Sequence, residues 1–159
     1  MNGPMPQLPS LTTRDLNGDV KTLPDGRLNV LIVAYQRPQQ REVDSWIPSL
    51  EALELEVPGL RYYELPVVGA MNPIGRRSLD FWMRQGIPDR EARARTLTFD
   101  VDRHRFKAPL GIAGESQIAV ILIDGGGTVL WRGIGAHTTA AASALRWASL
   151  AAAAPAIAH

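Results

Sequence analysis

Leu28-Asn29-Val30-Leu31-Ile32-Val33-Ala34-Tyr35, followed by Gln36-Arg37-Pro38-Gln39-Gln40-Arg41-Glu42, is the stretch on which the fold turns. Its first half is β-branched, uncharged and nearly continuous in hydrophobicity, as expected of a strand covered on both faces. It therefore reads as a central strand. In the second half, Pro38 can occupy the first turn of a helix, where its missing N–H costs nothing. Beyond it Val43, Trp46, Ile47, Leu50 and Leu53 recur at helical spacing, with Glu42, Asp44, Glu51 and Glu54 between them. Pro48 lies inside this pattern and is expected to kink the helix or divide it in two.

Working outward toward the start, residues 1–9 carry three prolines and a glycine and read as an extended entry segment. Leu11-Thr12-Thr13 and Asp19-Val20-Lys21-Thr22-Leu23 flank Asp15-Leu16-Asn17-Gly18, where Asn-Gly supplies the positive φ of a tight hairpin turn. Toward the end, Pro58-Gly59 closes the helical region and Leu60–Val68 reads as a second strand. Residues 70–95 look helical in pieces, Thr96–Val101 alternates like a third strand, and residues 102–117 are polar and irregular. Ile118–Asp124 and Thr128–Arg132 then surround Asp124-Gly125-Gly126-Gly127 as a hairpin. Thr138 or Thr139 would cap a last helix running through Leu145, Trp147 and Leu150. The expected organisation is an extended segment over 1–9, one domain over 10–150 and an Ala-rich flexible tail over 151–159.

The order hairpin, strand, helix, strand, helix, strand, hairpin, helix, with right-handed crossovers, predicts an α/β domain. Its central mixed β-sheet would be flanked by helices on both faces, with the first hairpin as an N-terminal extension. This is a thioredoxin-like plan. Redox proteins that resemble it place a Cys-x-x-Cys segment after the central strand, where the helix N-terminus favours the thiolate. Aligning Pro38 with the proline common before the second cysteine puts Gln36 and Gln39 where the two sulfurs would lie, and Glu42 on an acidic position common in related thiol reductases. Such proteins also present a cis-proline before the strand that enters the final hairpin. Ile118 occupies that approximate place here, and a non-proline residue is expected to be trans.

Composition agrees with this absence. The chain has 159 residues and no cysteine, so thiol nucleophiles, disulfide exchange, iron–sulfur clusters and Cys-ligated zinc are excluded. That length suits one domain with an ordinary core. A formal charge of +1 gives no global attraction to nucleic acid or anionic membrane. Fifteen of the seventeen basic residues are Arg, which reads as compositional background. Met1-Asn2-Gly3-Pro4-Met5-Pro6 has neither a basic patch nor an apolar run, so no signal peptide is read there. The longest strongly apolar run, Ile118–Ile123, is far short of the roughly 20 residues that cross a bilayer. No stable membrane insertion and a cytoplasmic location are the expectations.

Val120-Ile121-Leu122-Ile123-Asp124 followed by Val129-Leu130-Trp131-Arg132-Gly133-Ile134-Gly135-Ala136 resembles a branch of the superfamily. This is the mitochondrial ATP-synthase assembly factor family called ATPase complex subunit ten, with its bacterial relatives. Leu110-Gly111-Ile112 and Gly86-Ile87-Pro88 also fit, and the match covers about residues 10 to 150. The resemblance implies a non-redox factor that binds a partner protein and helps its folding or assembly.

Other segments weigh less. Asp124-Gly125-Gly126-Gly127-Thr128 lacks the Gly-Lys-Ser/Thr ending and the following helix of a phosphate loop, so it reads as a turn. His104, His137 and His159 form no spaced ligand pair. Asp100, Asp102 and His104 would share one face of a strand, and with Arg105 they are the basis of a rival reading as a thiol-independent, metal-dependent enzyme. The plainer reading is a solvated strand end. Residues 84–107 are rich in Arg, but Asp89, Glu91, Asp100 and Asp102 interleave with them, so nucleic-acid binding is not expected. Phe81-Trp82-Met83 cannot all face one core, which leaves Trp82 as a candidate contact for a partner or a second subunit. The leading expectation is a non-catalytic protein or peptide binder. Tyr35, Gln36, Arg37, Pro38, Gln39, Trp82 and Ile118 are its candidate contacts, with no cofactor and with a homodimer as the structural alternative.

Overall fold

A computed structural model describes residues 7, 8, 10–15, 17–34, 39–66, 95–97 and 117–153. Strands β1 (Leu11–Arg14) and β2 (Val20–Leu23) pair antiparallel as a separate ribbon. Strands β3 (Asn29–Ala34), β4 (Arg61–Pro66), β5 (Ala119–Ile123) and β6 (Val129–Ile134) form a four-stranded mixed sheet in the order β4-β3-β5-β6. Helix α1 (Gln40–Glu56) links β3 to β4, and α2 (Thr139–Ala153) follows β6.

The apolar run 28–35 is central, as its composition requires. β3 lies parallel to β4, with Val30 opposite Tyr62 and Ile32 opposite Glu64, and antiparallel to β5, with Leu31 opposite Ile121. Alternation then divides the core into two layers. Val30, Ile32, Tyr62, Val120 and Leu122 pack beneath Val43, Trp46, Leu50 and Leu53 of α1 and Leu145 of α2. Leu31, Val33, Tyr63, Leu65, Ile121 and Ile123 face the other way, against Leu8, Leu23 and Leu97. Both described helices therefore share one face of a thioredoxin-like sheet, and the hairpin helps to cover the other. The helical pieces expected over 70–95 lie outside the described residues.

Several local expectations change. Pro48 does not divide the helix: α1 is continuous from Gln40 to Glu56 with Pro48 inside it. Pro48 is exposed, while Val43 and Trp46 before it and Leu50 and Leu53 after it are all buried. Packing on both sides thus holds the axis across the missing N–H. The first hairpin does not use Asn-Gly as a two-residue turn. Gly18 has φ +90°, but no described non-glycine residue has positive φ, so Asn17 lacks the conformation that a type I′ turn requires. A longer loop is organised instead by Asp15, whose Oδ1 accepts the N–H groups of Asn17 and Asp19 at 2.8 and 3.0 Å.

Of the strand expected over Thr96–Val101, only its first two residues are described. Thr96 bridges Glu64 and Leu97 bridges Asp15, which ties the β4 edge to the hairpin. The glycine run at 125–127 is the turn between β5 and β6. Asp124 Oδ1 accepts the N–H groups of Gly126 and Thr128, and Gly127 takes φ +92°. At the start of α2, Thr138 is the cap: its Oγ1 accepts the Ala141 N–H at 3.1 Å. The helix runs on to Ala153, three residues into the stretch assigned to the tail. Trp147 lies outside the core with 63% of its surface exposed, and Leu145 carries the apolar contact instead.

Candidate functional site

The carboxyl ends of β3 and β4 meet the first turn of α1, which is where the sequence places the counterpart of a redox site. Gln39 precedes the helix with φ −74° and ψ −4°, and only 4% of it is exposed. Its side chain makes no capping hydrogen bond to the helix. Glu42 supplies negative charge to the first turn, which suits the positive end of the helix dipole, yet its Oε2 is buried without a hydrogen-bond partner. Gln40 Nε2 donates to Asp44 Oδ1 at 2.9 Å one turn along.

Below this turn, β4 carries the one charged side chain among its central residues. Burial pushes the Glu64 carboxyl up to about 7; the neighbouring Asp44 charge adds to the rise, and a hydrogen bond from Gln40 opposes it. A carboxyl poised there donates a hydrogen bond on the acid side of neutrality and carries a charge on the other side. Its backbone is fully engaged as well, with the N–H donating to Arg95 O at 2.7 Å and the carbonyl accepting from Leu97 N at 2.8 Å. Glu64 was not singled out from the sequence. The available signal was an acidic residue within Leu60–Val68, a segment that parallel pairing buries on both faces.

Ile118 lies just before β5, wholly buried, and its carbonyl accepts from Gly135 N at 2.9 Å. The described chain's sole cis peptide is Leu23–Pro24, so the bond before Ile118 is trans, as expected. Ile118 precedes Ala119, which pairs with Val33, so it lies beside the carboxyl end of β3. Tyr35, Gln36, Arg37, Pro38 and Trp82 lie outside the described residues, as do Asp100, Asp102, His104 and Arg105.

A second polar region lies farther along the same helix. Between α1 and α2 is a cleft of about 440 Å³ bordered by Trp46, Ser49, Leu53, His137, Leu145 and Arg146. Trp46 Nε1 donates to Gly135 O at 3.0 Å, and Ser49 Oγ lies 2.8 Å from His137 Nε2. The His137 N–H donates to Ser45 Oγ at 3.0 Å, and its ring meets Trp46 edge-on at 5.2 Å. Three hydrogen bonds thus fasten the β6–α2 connection onto α1. Sequence spacing does not reveal this pairing, because Ser49 and His137 are 88 positions apart. Among the described residues no carboxylate bonds His137, so the pair lacks the third group that orients a catalytic imidazole.

No family model matches the chain, and no curated protein matches it. Solved structures do. A putative thiol:disulfide interchange protein DsbE from Chlorobium tepidum aligns at 17% identity and TM-score 0.60, over 97% of this chain and 100% of that one. BsSco, of the Sco family of cytochrome c oxidase assembly proteins, aligns at 15% identity and TM-score 0.61 over 94% and 97%. A putative protein disulfide isomerase from Bacteroides thetaiotaomicron aligns at 15% identity and TM-score 0.61 over 92% and 87%. At these identities the likeness shows the fold: the chain is thioredoxin-like. No helix among the described residues is long and apolar enough to cross a membrane.

Proposed function

We propose that this chain is a non-redox thioredoxin-like protein that binds a protein or peptide at the corner where redox relatives keep their thiols. The observation that carries the reading is Gln39. A buried amide occupies the start of α1 on a scaffold whose solved neighbours include thiol:disulfide interchange proteins, and the chain has no cysteine anywhere. Gln36, Arg37 and Tyr35 would supply the contacts, with amide and guanidinium hydrogen bonds in place of a mixed disulfide. Ile118, before β5, and Glu64, on β4, are the described residues we add to this site. An assembly-type role is the form of binding we favour. It accords with the resemblance to the ATPase complex subunit ten family, and one structural neighbour belongs to a family of oxidase assembly proteins.

A photoreactive amino acid placed at Arg37 in the native host tests the reading. One recurring covalent adduct, missing when the probe is moved to the exposed Glu51 on α1, is the expected result. The same adduct pattern from both positions, or none from either, would overturn it. The double substitution Gln36→Cys/Gln39→Cys sharpens the register: those two sulfurs should close a disulfide under mild oxidation, whereas a pair that stays reduced rejects the alignment.

A further inference from the structure

At the other end of β3 and β4, away from the start of α1, the sheet and strand β2 border an open polar cavity of about 470 Å³. Lys21, Thr22, Asp25, Arg27, Arg61 and Tyr63 border it. Apart from Val20 and Asp25, the residues that border it carry hydrogen-bond donors: one ammonium, two guanidinium groups, a hydroxyl and a phenol. Among the described residues that border it, three are cationic and one is a carboxylate. That carboxylate is partly committed elsewhere, because Asp25 Oδ1 accepts the backbone N–H of Arg27 at 3.0 Å.

The floor is fixed. Tyr63 is 4% exposed, and the Arg61 guanidinium carbon lies 5.7 Å from its ring centroid, within reach of a cation–π contact that restrains the guanidinium. Burial pushes the Tyr63 phenol above its usual range, with Arg61 opposing, so the phenol remains a donor near neutrality. Thr22 Oγ1 is 3.2 Å from Thr12 Oγ1 across the hairpin, which places the hydroxyl.

We propose that this cavity binds a phosphomonoester dianion, the phosphoryl group lying among Lys21, Arg27 and Arg61 with its small organic body in the remaining space. A phosphomonoester carries about −1.5 to −2 charges near pH 7, and so meets these cationic side chains with more charge than a single carboxylate brings. Its acceptor-only oxygens complement a donor-rich wall, and arginine binds such groups through paired hydrogen bonds. The volume lies in the range of small-molecule sites. The site shares no bordering residue with the corner at Gln39 or with the α1–α2 cleft, so it stands apart from the partner-binding reading.

Glycerol 2-phosphate titrated into isotopically labelled protein at pH 7.5 and low salt tests it. Saturable amide shifts centred on Lys21, Thr22, Arg27 and Arg61 are expected, weakening at pH 5.5 as the ester becomes a monoanion. Arg27→Gln, at an exposed position, should weaken binding about tenfold, and Tyr63→Phe about threefold. Arg132→Gln, on β6, should leave it unchanged. Shifts that fail to saturate, that sodium chloride reproduces at equal ionic strength, or that Arg27→Gln alters less than twofold would overturn the proposal.

Discussion

Helix α1 borders two polar regions of opposite character. Along its middle, Trp46, Ser49 and His137 each have a hydrogen-bond partner, and their bonds join elements far apart in the chain. At its first turn, Glu42 Oε2 is buried without one, and burial holds the Glu64 carboxyl near pH 7. The apolar packing is alike in both places: Val43 and Trp46 are 2% and 1% exposed. What differs is polar matching. Buried polar groups are ordinarily satisfied, and a fold keeps mismatched ones where something other than stability is being selected. The cleft is a satisfied, structural contact, and the unmatched groups lie at the corner proposed above as the partner site.

The sharpest way to break that comparison is Trp46→Ala. It removes a buried indole, opens a cavity and leaves Gly135 O without its donor, so a loss of about 3–5 kcal/mol is expected in chemical denaturation. A loss below about 1 kcal/mol would remove the cleft's structural role.

Glu64→Gln should act in the opposite direction. The folded carboxyl titrates at about 7 against its ordinary 4.5, so the folded state holds the proton more tightly. Its contribution is therefore fully present below about pH 4.5 and lost as pH rises through 7. The amide variant should be more stable than the parent by about 2 kcal/mol at pH 8 and nearly equal at pH 4, as read from denaturant midpoints at both pH values. Equal effects at the two pH values would place no titrating group at the corner. The smallest effect belongs to the cleft's rim. Arg146 makes a bidentate pair with Glu56 at 2.7 and 3.0 Å, but both side chains are more than a third exposed. Glu56→Gln should change stability by less than about 0.5 kcal/mol, and added salt should shrink even that.

The central strand, the long helix, the final hairpin and a threonine cap at 138 or 139 were legible because each rests on a local pattern: periodicity, turn chemistry or a capping hydroxyl. Pro48 misled because its cost is local while the packing of Val43, Trp46, Leu50 and Leu53 that overrides it is tertiary. Asn17 misled because the Asp15 carboxylate offers the backbone another loop. At the candidate site the missing cysteines and the position of Gln39 were readable. Glu64 was not, since its chemistry comes from burial between β3 and Thr96 and from Asp44 on another element. The Lys21–Arg27–Arg61 cavity was hidden for the same reason: three cations from β2, a turn and β4 converge only after folding.

The bond from Trp46 to Gly135 also bears on the order in which the protein is made. Its two ends are 89 positions apart. During synthesis the indole emerges long before its acceptor, so the part of the α1 face that Val120, Leu122 and Leu145 cover stays open until the last hairpin and α2 have left the ribosome. Closure of the cleft is therefore a late event in biogenesis. Stalling the chain between those two points would yield a nascent protein with that part of the α1 face open and no latch.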